Sequence, residues 1–314
     1  MPQMTMQQIR VVDPVLTTIA QAFPSTEGFV GNLLFPTVFV GQRGGKIIEF
    51  GKEAFTLYTN IQRAPGSNTK RVQFGFSGKS YALNDYSLEG MVPIEHLQEA
   101  SAVPGIDLAT QAIRTVQSII ELRLEKEQAD LALNPANYGA NNKTTLSGTS
   151  QFSNAASTPI SAIETGREAI RSQTGRYPNL MVMGPLVATA LKHHGTIIGR
   201  TQYTSPDSIT PAVLDGLLGI PRVVVAQSIY YDDAGVQKDM WGKNVLLAYV
   251  APTIQAAMGL PSYGYTYRLA GGYPLVETPY LERNPKTWLY PVTDVVAPVI
   301  SSALAGYLIT DAVA

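Results

Sequence analysis

The residues that could do chemistry in this chain are few and badly spaced for it. Gly41-Gln42-Arg43-Gly44-Gly45-Lys46 has the glycines and the lysine of a phosphate-cradling loop. It is one residue short, and Ile47 stands where a Ser or Thr would hold magnesium. Gly148-Thr149-Ser150-Gln151-Phe152 begins like a nucleophile elbow and fails at its last position. His193 and His194 are adjacent, so on a helix they diverge by about 100° and cannot chelate together as an i, i+4 pair would. His96 is the third and last histidine. Asp232-Asp233 precedes Ala234-Gly235 and reads as a solvated turn. Asn142-Lys143-Thr144 matches a glycosylation sequon, but no secretory signal accompanies it. There is no cysteine, hence no thiolate ligand, disulfide or cysteine nucleophile. A hydrolase or metal enzyme built on the C-terminal half would need a convergent acid, base and nucleophile, and the sequence offers none. The reading is therefore of a non-enzyme with no catalytic residue, cofactor site or metal site.

One charge cluster has a different meaning. Lys46, Lys52, Arg63, Lys70, Arg71 and Lys79 all fall in one stretch. Around them, Ile48, Phe50, Phe55 and Leu57 sit among polar residues. Further on, Val72, Phe74 and Phe76 alternate with Arg71, Gln73 and Gly75, the period of two of a half-buried strand. Arg63-Ala64-Pro65-Gly66-Ser67-Asn68-Thr69-Lys70 makes a turn-rich, basic tip between the two arms. The spacing predicts a long hairpin with no core of its own. An isolated ribbon is marginal in water, so it needs a surface to lie on. If its own chain does not supply one, a neighbouring copy must. Lys52, Arg63, Lys70, Arg71, Phe74 and Phe76 are the candidates for that contact, the charges setting register and on-rate more than affinity.

The elements around the ribbon follow from periodicity. Residues 1–45 mix short apolar runs with Pro14, Pro24 and Pro36 and read as an arm. Lys79 to Leu88 and Val92 to Glu95 read as a connector. Ile106, Ala109, Ile113, Val116, Ile120 and Leu124 recur at three- and four-residue steps, which predicts a helix over 106–133 opened by Pro104 and Asp107 and stopped by Asn134-Pro135. Arg123 with Glu127 and Lys126 with Asp130 are spaced as ion pairs on that helix. Such a helix spans roughly 40 Å, long enough for several elements to cross it. A short hairpin is expected through Thr144-Thr145-Leu146 and Gln151-Phe152, then a helix from Ile160 to Ser172. The remainder reads as an α/β unit: a buried strand Leu180 to Met183, helices Leu186 to His193 and Ile209 to Leu218, strands Arg222 to Ala226 and Val245 to Tyr249, and strands and loops from Gly259 to Tyr290. Thr210 and Pro211 fit the start of the second of those helices.

Composition sets the outer limits. The 314 residues are 45% hydrophobic, enough for a real core, and only 15% charged, a low share that suits a chain hiding much of its surface in contacts. A net charge of -1 argues against a dedicated nucleic-acid binder but is compatible with a near-neutral wall beside packaged polyanion. No stretch approaches the roughly 18 apolar residues of a membrane helix. A soluble, cytosolic product is expected.

Several ordered segments carry a family resemblance. They are Ser80-Tyr81-Ala82-Leu83-Asn84-Asp85-Tyr86 with Val92-Pro93-Ile94-Glu95; Arg123-Leu124-Glu125-Lys126 with Ala129-Asp130-Leu131; Leu146 to Phe152; Ala190-Leu191-Lys192-His193-His194; Trp241 to Tyr249; and Pro261-Ser262-Tyr263-Gly264-Tyr265-Thr266. Over Phe50 to Thr310 the chain resembles the major capsid proteins of tailed bacteriophages. That resemblance implies an α+β, HK97-like capsid fold with an N-terminal arm (1–45), an extended β-hairpin E-loop (46–83), a peripheral domain (84–178) with its long spine helix (106–133), an axial domain (179–288) and a C-terminal return to the peripheral domain (289–314). It implies self-assembly into hexamers and pentamers of an icosahedral virion shell around phage dsDNA, contacted non-specifically, with a portal, no membrane, and assembly in the host cytoplasm. Only about forty residues precede the ribbon, without helical heptads, so a separate scaffolding protein is expected. Gly51, Gly75 and Gly78 are candidate bending points. The covalent Lys–Asn cross-link of some relatives is not carried over to Lys52 and Asn142, because nothing in the spacing supports it. A bacterial compartment shell of the same fold, of the encapsulin type, is the alternative within this architecture.

Overall fold

The computed structural model describes residues 28–48, 62–63, 78–101, 107–201, 211–252 and 262–314. Among these, two mixed sheets and one long helix carry the architecture. The helix, α3 (Leu108–Leu133), follows the short helices α1 (Gly31–Leu34) and α2 (Ile94–Ser101). Asp107 caps it, accepting from the N–H groups of Ala109 at 3.1 Å and Thr110 at 3.3 Å. Asn134 ends it and caps the next turn through Ala136 N–H. The expected stripe of Ile113, Val116, Ile120 and Leu124 is buried. Both expected ion pairs form, Arg123 with Glu127 at 2.9 Å and Lys126 with Asp130. Pro104 and Ile106 lie outside the described residues, as do Ile209 and Thr210.

The first sheet packs on the N-terminal half of α3. Its central strand is β14 (Thr287–Ile300). On one side β14 pairs with β4 (Asn84–Pro93), from Thr287↔Pro93 to Val296↔Asn84. On the other it pairs in turn with β13 (Tyr280–Glu282), β12 (Leu275–Val276) and β11 (Gly264–Leu269), and β11 pairs with β1 (Thr37–Val40). The segment read as a connector from Lys79 to Glu95 is thus mostly strand. Its pattern hides this, because one face and one edge of β4 are exposed and only Gly90 and Val92 are buried. Proline also disguised β14. Pro298 stands opposite Thr266, whose own N–H turns to Pro36 instead. Pro291 accepts from Glu277 N–H at 3.0 Å just past the end of β12, where no strand needs its missing donor.

The second sheet runs β5 (Lys143–Thr145), β15 (Gly306–Thr310), β10 (Val245–Ala248), β6 (Leu180–Met183), β7 (Val223–Val225). Both faces are buried. Met181, Met183, Val245, Leu247, Tyr307 and Ile309 face one core with helices α4 (Pro159–Thr174), α5 (Pro185–His193) and α7 (Pro211–Leu218). Leu180, Val182, Leu246, Ala248 and Leu308 face another, against Ala129 and Ala132 of α3, Trp241 and Tyr263. Helix α6 (Gly195–Thr201) lies between α5 and α7 in the chain. The expected hairpin through Thr144 and Gln151 does not form. Lys143–Thr145 pairs in parallel with the C-terminal strand β15, and Phe152 N–H donates to Ala312 carbonyl at 2.7 Å. The partner lies more than a hundred residues away, so no local pattern marks it. Strands β5 and β15 belong to the second sheet, and α4 packs on it.

Candidate assembly surface

Three neighbouring features decide what this molecule offers to others: the root of the ribbon, a buried polar junction beneath it, and the open edge of β4. The root is β2 (Gly44–Ile48) paired antiparallel with β3 (Gly78–Ala82), in register from Gly44↔Ala82 to Ile48↔Gly78. It is pinned to the first sheet. The Tyr81 ring stacks on Tyr267 with centroids 4.6 Å apart and planes at 11°. Leu83 is buried with Val295 and Ala297, and its N–H donates to Arg43 carbonyl at 2.8 Å. Arg43 also reaches Asp85 at 3.3 Å, an exposed pair of small energetic weight. Burial beside Tyr265 and Tyr81 pushes the Tyr267 hydroxyl up to about 12. Gly41 to Lys46 thus forms a bend and a strand rather than a phosphate loop.

Of the residues expected to meet a neighbour, Arg63 is described and is exposed. Lys52, Lys70, Arg71, Phe74 and Phe76 lie outside the described residues, as do Gly51, Gly75 and residues 1–27.

The polar junction is centred on Glu125 of α3, which is only 2% exposed. Its carboxylate accepts from Val30 N–H at 3.0 Å, Gly31 N–H at 2.8 Å, Trp241 Nε1 at 2.9 Å and Ser228 Oγ at 3.5 Å. One side chain therefore ties the first turn of α1, the long helix and the loop before β10. Burial pushes its pKa up, while the Val30, Trp241 and Gly31 donors pull it down by less. Next to it Gln128 donates to Thr266 Oγ1 at 2.9 Å and Asn32 Oδ1 at 3.3 Å. A Cβ at position 31 would stand 2.0 Å from Gln128 Oε1 and 2.6 Å from Glu125 Oε2, so any other residue there displaces those two side chains. On the first sheet Arg268 reaches the buried Asp294 at 3.0 Å. Burial raises the Asp294 pKa and Arg268 lowers it, burial being the larger effect. Sequence reasoning missed this junction. Its one signal is that Gln117 and Gln128 fall at helical spacing with Leu124, two polar residues where the apolar face should continue.

The open edge follows from the ladder. Ser301 N–H donates to Tyr263 carbonyl at 3.0 Å, so odd-numbered residues of β14 turn their main-chain groups toward β11 and even-numbered ones toward β4. Through the β4 register, Asn84, Tyr86, Leu88, Gly90 and Val92 answer them. The N–H and C=O groups of Ser87, Glu89 and Met91 point the other way. Among the described residues, they meet no main-chain partner. Beside this edge a groove of about 550 Å³ separates β4 from α3, lined by Leu88, Met91, Leu108, Gln111, Thr115 and Ile119. Met91 is 74% exposed, Ile119 48% and Leu88 39%, an apolar rim facing outward.

The other sequence-marked positions have local uses. His194 is buried, its Nε2 near Ser157 Oγ at 3.1 Å and its Nδ1 near Thr196 Oγ1 at 2.7 Å. Asp232 pairs with Lys238 at 2.7 Å and accepts from Ala234 and Val236 N–H groups, closing the turn between β8 (Ile229–Tyr231) and β9 (Gln237–Asp239). The Lys238 ammonium holds the Asp232 carboxyl below its usual range. Asn142 is buried and donates to Gly306 carbonyl at 3.0 Å. Ser150 belongs to a small capping box with Ser147. Among the described residues, no helix is long and apolar enough to cross a membrane.

No protein-family model matches the chain. The major capsid protein of Burkholderia phage BcepMu is 38% identical over 309 residues, covering 97% of this chain and 98% of the phage protein. A phage-related protein of Bordetella bronchiseptica RB50, known from its crystal structure, is 42% identical, superposes with a TM-score of 0.83, and is covered to 99% by 97% of this chain. The SrpI encapsulin of Synechococcus elongatus PCC 7942 shares the fold at a TM-score of 0.54 and 12% identity, over 99% of this chain and 92% of the encapsulin.

Proposed function

The chain belongs to the phage major capsid proteins, a structural icosahedral shell protein with the HK97-type fold, and from that premise we propose how its parts build the shell. The single observation that carries the function is the 38% identity to a phage major capsid protein along nearly the whole of both chains. The encapsulin shares the fold alone, so a compartment shell is not favoured. A hydrolase is not favoured either.

In this reading residues 46–83 are the E-loop, which reaches across the peripheral domain of an adjacent subunit. The long helix is the spine of that domain, and residues from Leu180 to about Trp288 surround the hexamer and pentamer centres. The anchoring of the ribbon's root by Tyr81 and Leu83 supports a projecting arm that starts from a fixed base. Lys52, Arg63, Lys70 and Arg71 act as rim charges, and Phe74 and Phe76 as the apolar contact. Each interface is modest, and closure of the shell makes the contacts cooperative. Packaged dsDNA meets a near-neutral inner wall without sequence preference. A portal and a separate scaffolding protein complete assembly, in the host cytoplasm.

Deleting Ile61 to Val72 tests the arm. The expected product is a soluble, folded subunit that forms no shells in electron micrographs. Normal particles from the deletion would refute the role of the arm.

A further inference from the structure

Among the described residues, the longest ladder joins β4 to β14, and β4 has a strand partner on only that side. Ser87, Glu89 and Met91 present three successive pairs of main-chain donors and acceptors on the other side, at the two-residue repeat of an extended strand. A long, unpaired edge is a template for pairing with another chain. The flank of this edge is apolar, through Leu88, Met91 and Ile119, and its charges are mainly acidic: Glu89 on β4 and Glu95 and Glu99 on α2, with Asp85 already paired to Arg43. The edge therefore asks for an extended segment that alternates apolar and polar residues and carries positive charge at one end.

One stretch of this sequence has that form. Val72, Phe74 and Phe76 alternate with Arg71, Gln73 and Gly75, and Lys70 and Arg71 give its start a positive charge. The same chain is poorly placed to supply it. Gly78, the first described residue after that stretch, opens β3, which is held by β2, and six residue steps at about 3.3 Å each put it roughly 20 Å along the chain from Asn84, where β4 begins. We propose that the open edge of β4 is completed by residues 71–77 of a second copy, added as a further strand of the first sheet. This deepens the E-loop reading and rests on it: it names the edge, the main-chain groups and the arm that meet.

Three measurements test the edge separately from the arm's reach. The first is amide exchange of the wild-type chain, dispersed and in shells, read residue by residue after quenching. Leu88 and Val92 exchange slowly in both states, whereas Ser87, Glu89 and Met91 exchange fast when dispersed and at least about a hundredfold slower in shells. Equal rates at Ser87, Glu89 and Met91 in both states overturn the proposal. The second is Met91→Pro, which removes only an outward N–H and leaves the β14 ladder intact, beside Met91→Ala, which keeps that N–H. The alanine variant forms shells; the proline variant folds, with unchanged circular dichroism, and forms none. A proline variant that assembles like wild type overturns the proposal. The third does not depend on the proline variant folding. The chain has no cysteine, so Met91→Cys combined with Gln73→Cys or Gly75→Cys reports a single pairing. Oxidised shells are expected to give disulfide-linked oligomers between positions 91 and 73 or 75. Shells that link only 91 to 91, or not at all, overturn the proposal. Should the Ile61 to Val72 deletion still assemble, the E-loop reading falls. Should that deletion fail to assemble while Met91→Pro succeeds, only the β4 edge falls.

Discussion

The edge of β4 lies beside the N-terminal half of the long helix and the junction around Glu125 in its C-terminal half, and they are built on opposite rules. At the junction both carboxylate oxygens, two N–H groups of α1 and the Trp241 indole are matched to one another, and a Cβ at position 31 would displace the Glu125 and Gln128 side chains. At the edge, main-chain groups of Ser87, Glu89 and Met91 and the side chains of Met91 and Ile119 are left facing outward. A buried polar group without a partner is costly, and Glu125 is matched locally, although Gln128 Oε1 beside it has no hydrogen-bond partner among the described residues. The edge can stay open because water serves it until another molecule arrives. The contrast separates what folds the subunit from what joins subunits. Changes at the junction should lower subunit stability, and changes at the ribbon and edge should spare stability and alter assembly.

The largest effect on stability is expected from Trp241→Ala. It empties a fully buried site and removes a donor from Glu125, costing about 3–5 kcal/mol in denaturant unfolding. A loss below about 1 kcal/mol would mean that the junction is not where the two sheets are joined. Glu125→Gln comes next. An amide nitrogen would face Gly31 N–H or the Val30 and Trp241 donors, for a loss of about 1–3 kcal/mol at neutral pH.

The pH dependence of the same residue sharpens the comparison. Burial raises the folded pKa of Glu125, so the native state holds this proton more tightly than the unfolded chain does. Its contribution is greatest below the ordinary glutamate range and is lost as pH rises through the raised folded value. The wild-type subunit should therefore lose stability across that window, and Glu125→Gln should flatten the slope. A wild-type slope of opposite sign, attributable to this residue by its absence in the variant, would reverse the assignment.

Smaller still is Arg43→Ala at the ribbon root. Both partners of the Arg43–Asp85 pair are well exposed, so at most about 1 kcal/mol is at stake. A small effect on stability, below about 1 kcal/mol, is expected from the exposed Arg63→Ala, which should slow shell formation at low salt more than at high salt. Assembly rates that do not respond to the Arg63 change at any salt concentration would remove that residue from the rim contact.

What could be read in the sequence follows the same division. The long helix was legible because its stripe, its Asp107 cap and its i, i+4 pairs are all local, and Leu180 to Met183 because it is a continuous apolar run. The β4–β14 ladder was not legible. It joins segments about two hundred residues apart, β4 shows water one face, and β14 carries Pro291 and Pro298 where a central strand should not. Glu125 looks like any other acid in a charged run; only the fold brings α1 and Trp241 to it. The family resemblance came through ordered short segments, and the 38% identity along 97% of the chain bears it out.

The central claim is that the body of this subunit is finished by its own residues while its ribbon and β4 edge are finished by copies of itself. Electron microscopy of the purified wild-type chain, expressed alone and together with its genomic neighbours, tests that most directly. The account predicts closed, hollow particles of many copies in at least the co-expressed material. A chain that stays a compact monomer under every condition, with residues 49–77 folded onto its own first sheet, would contradict it.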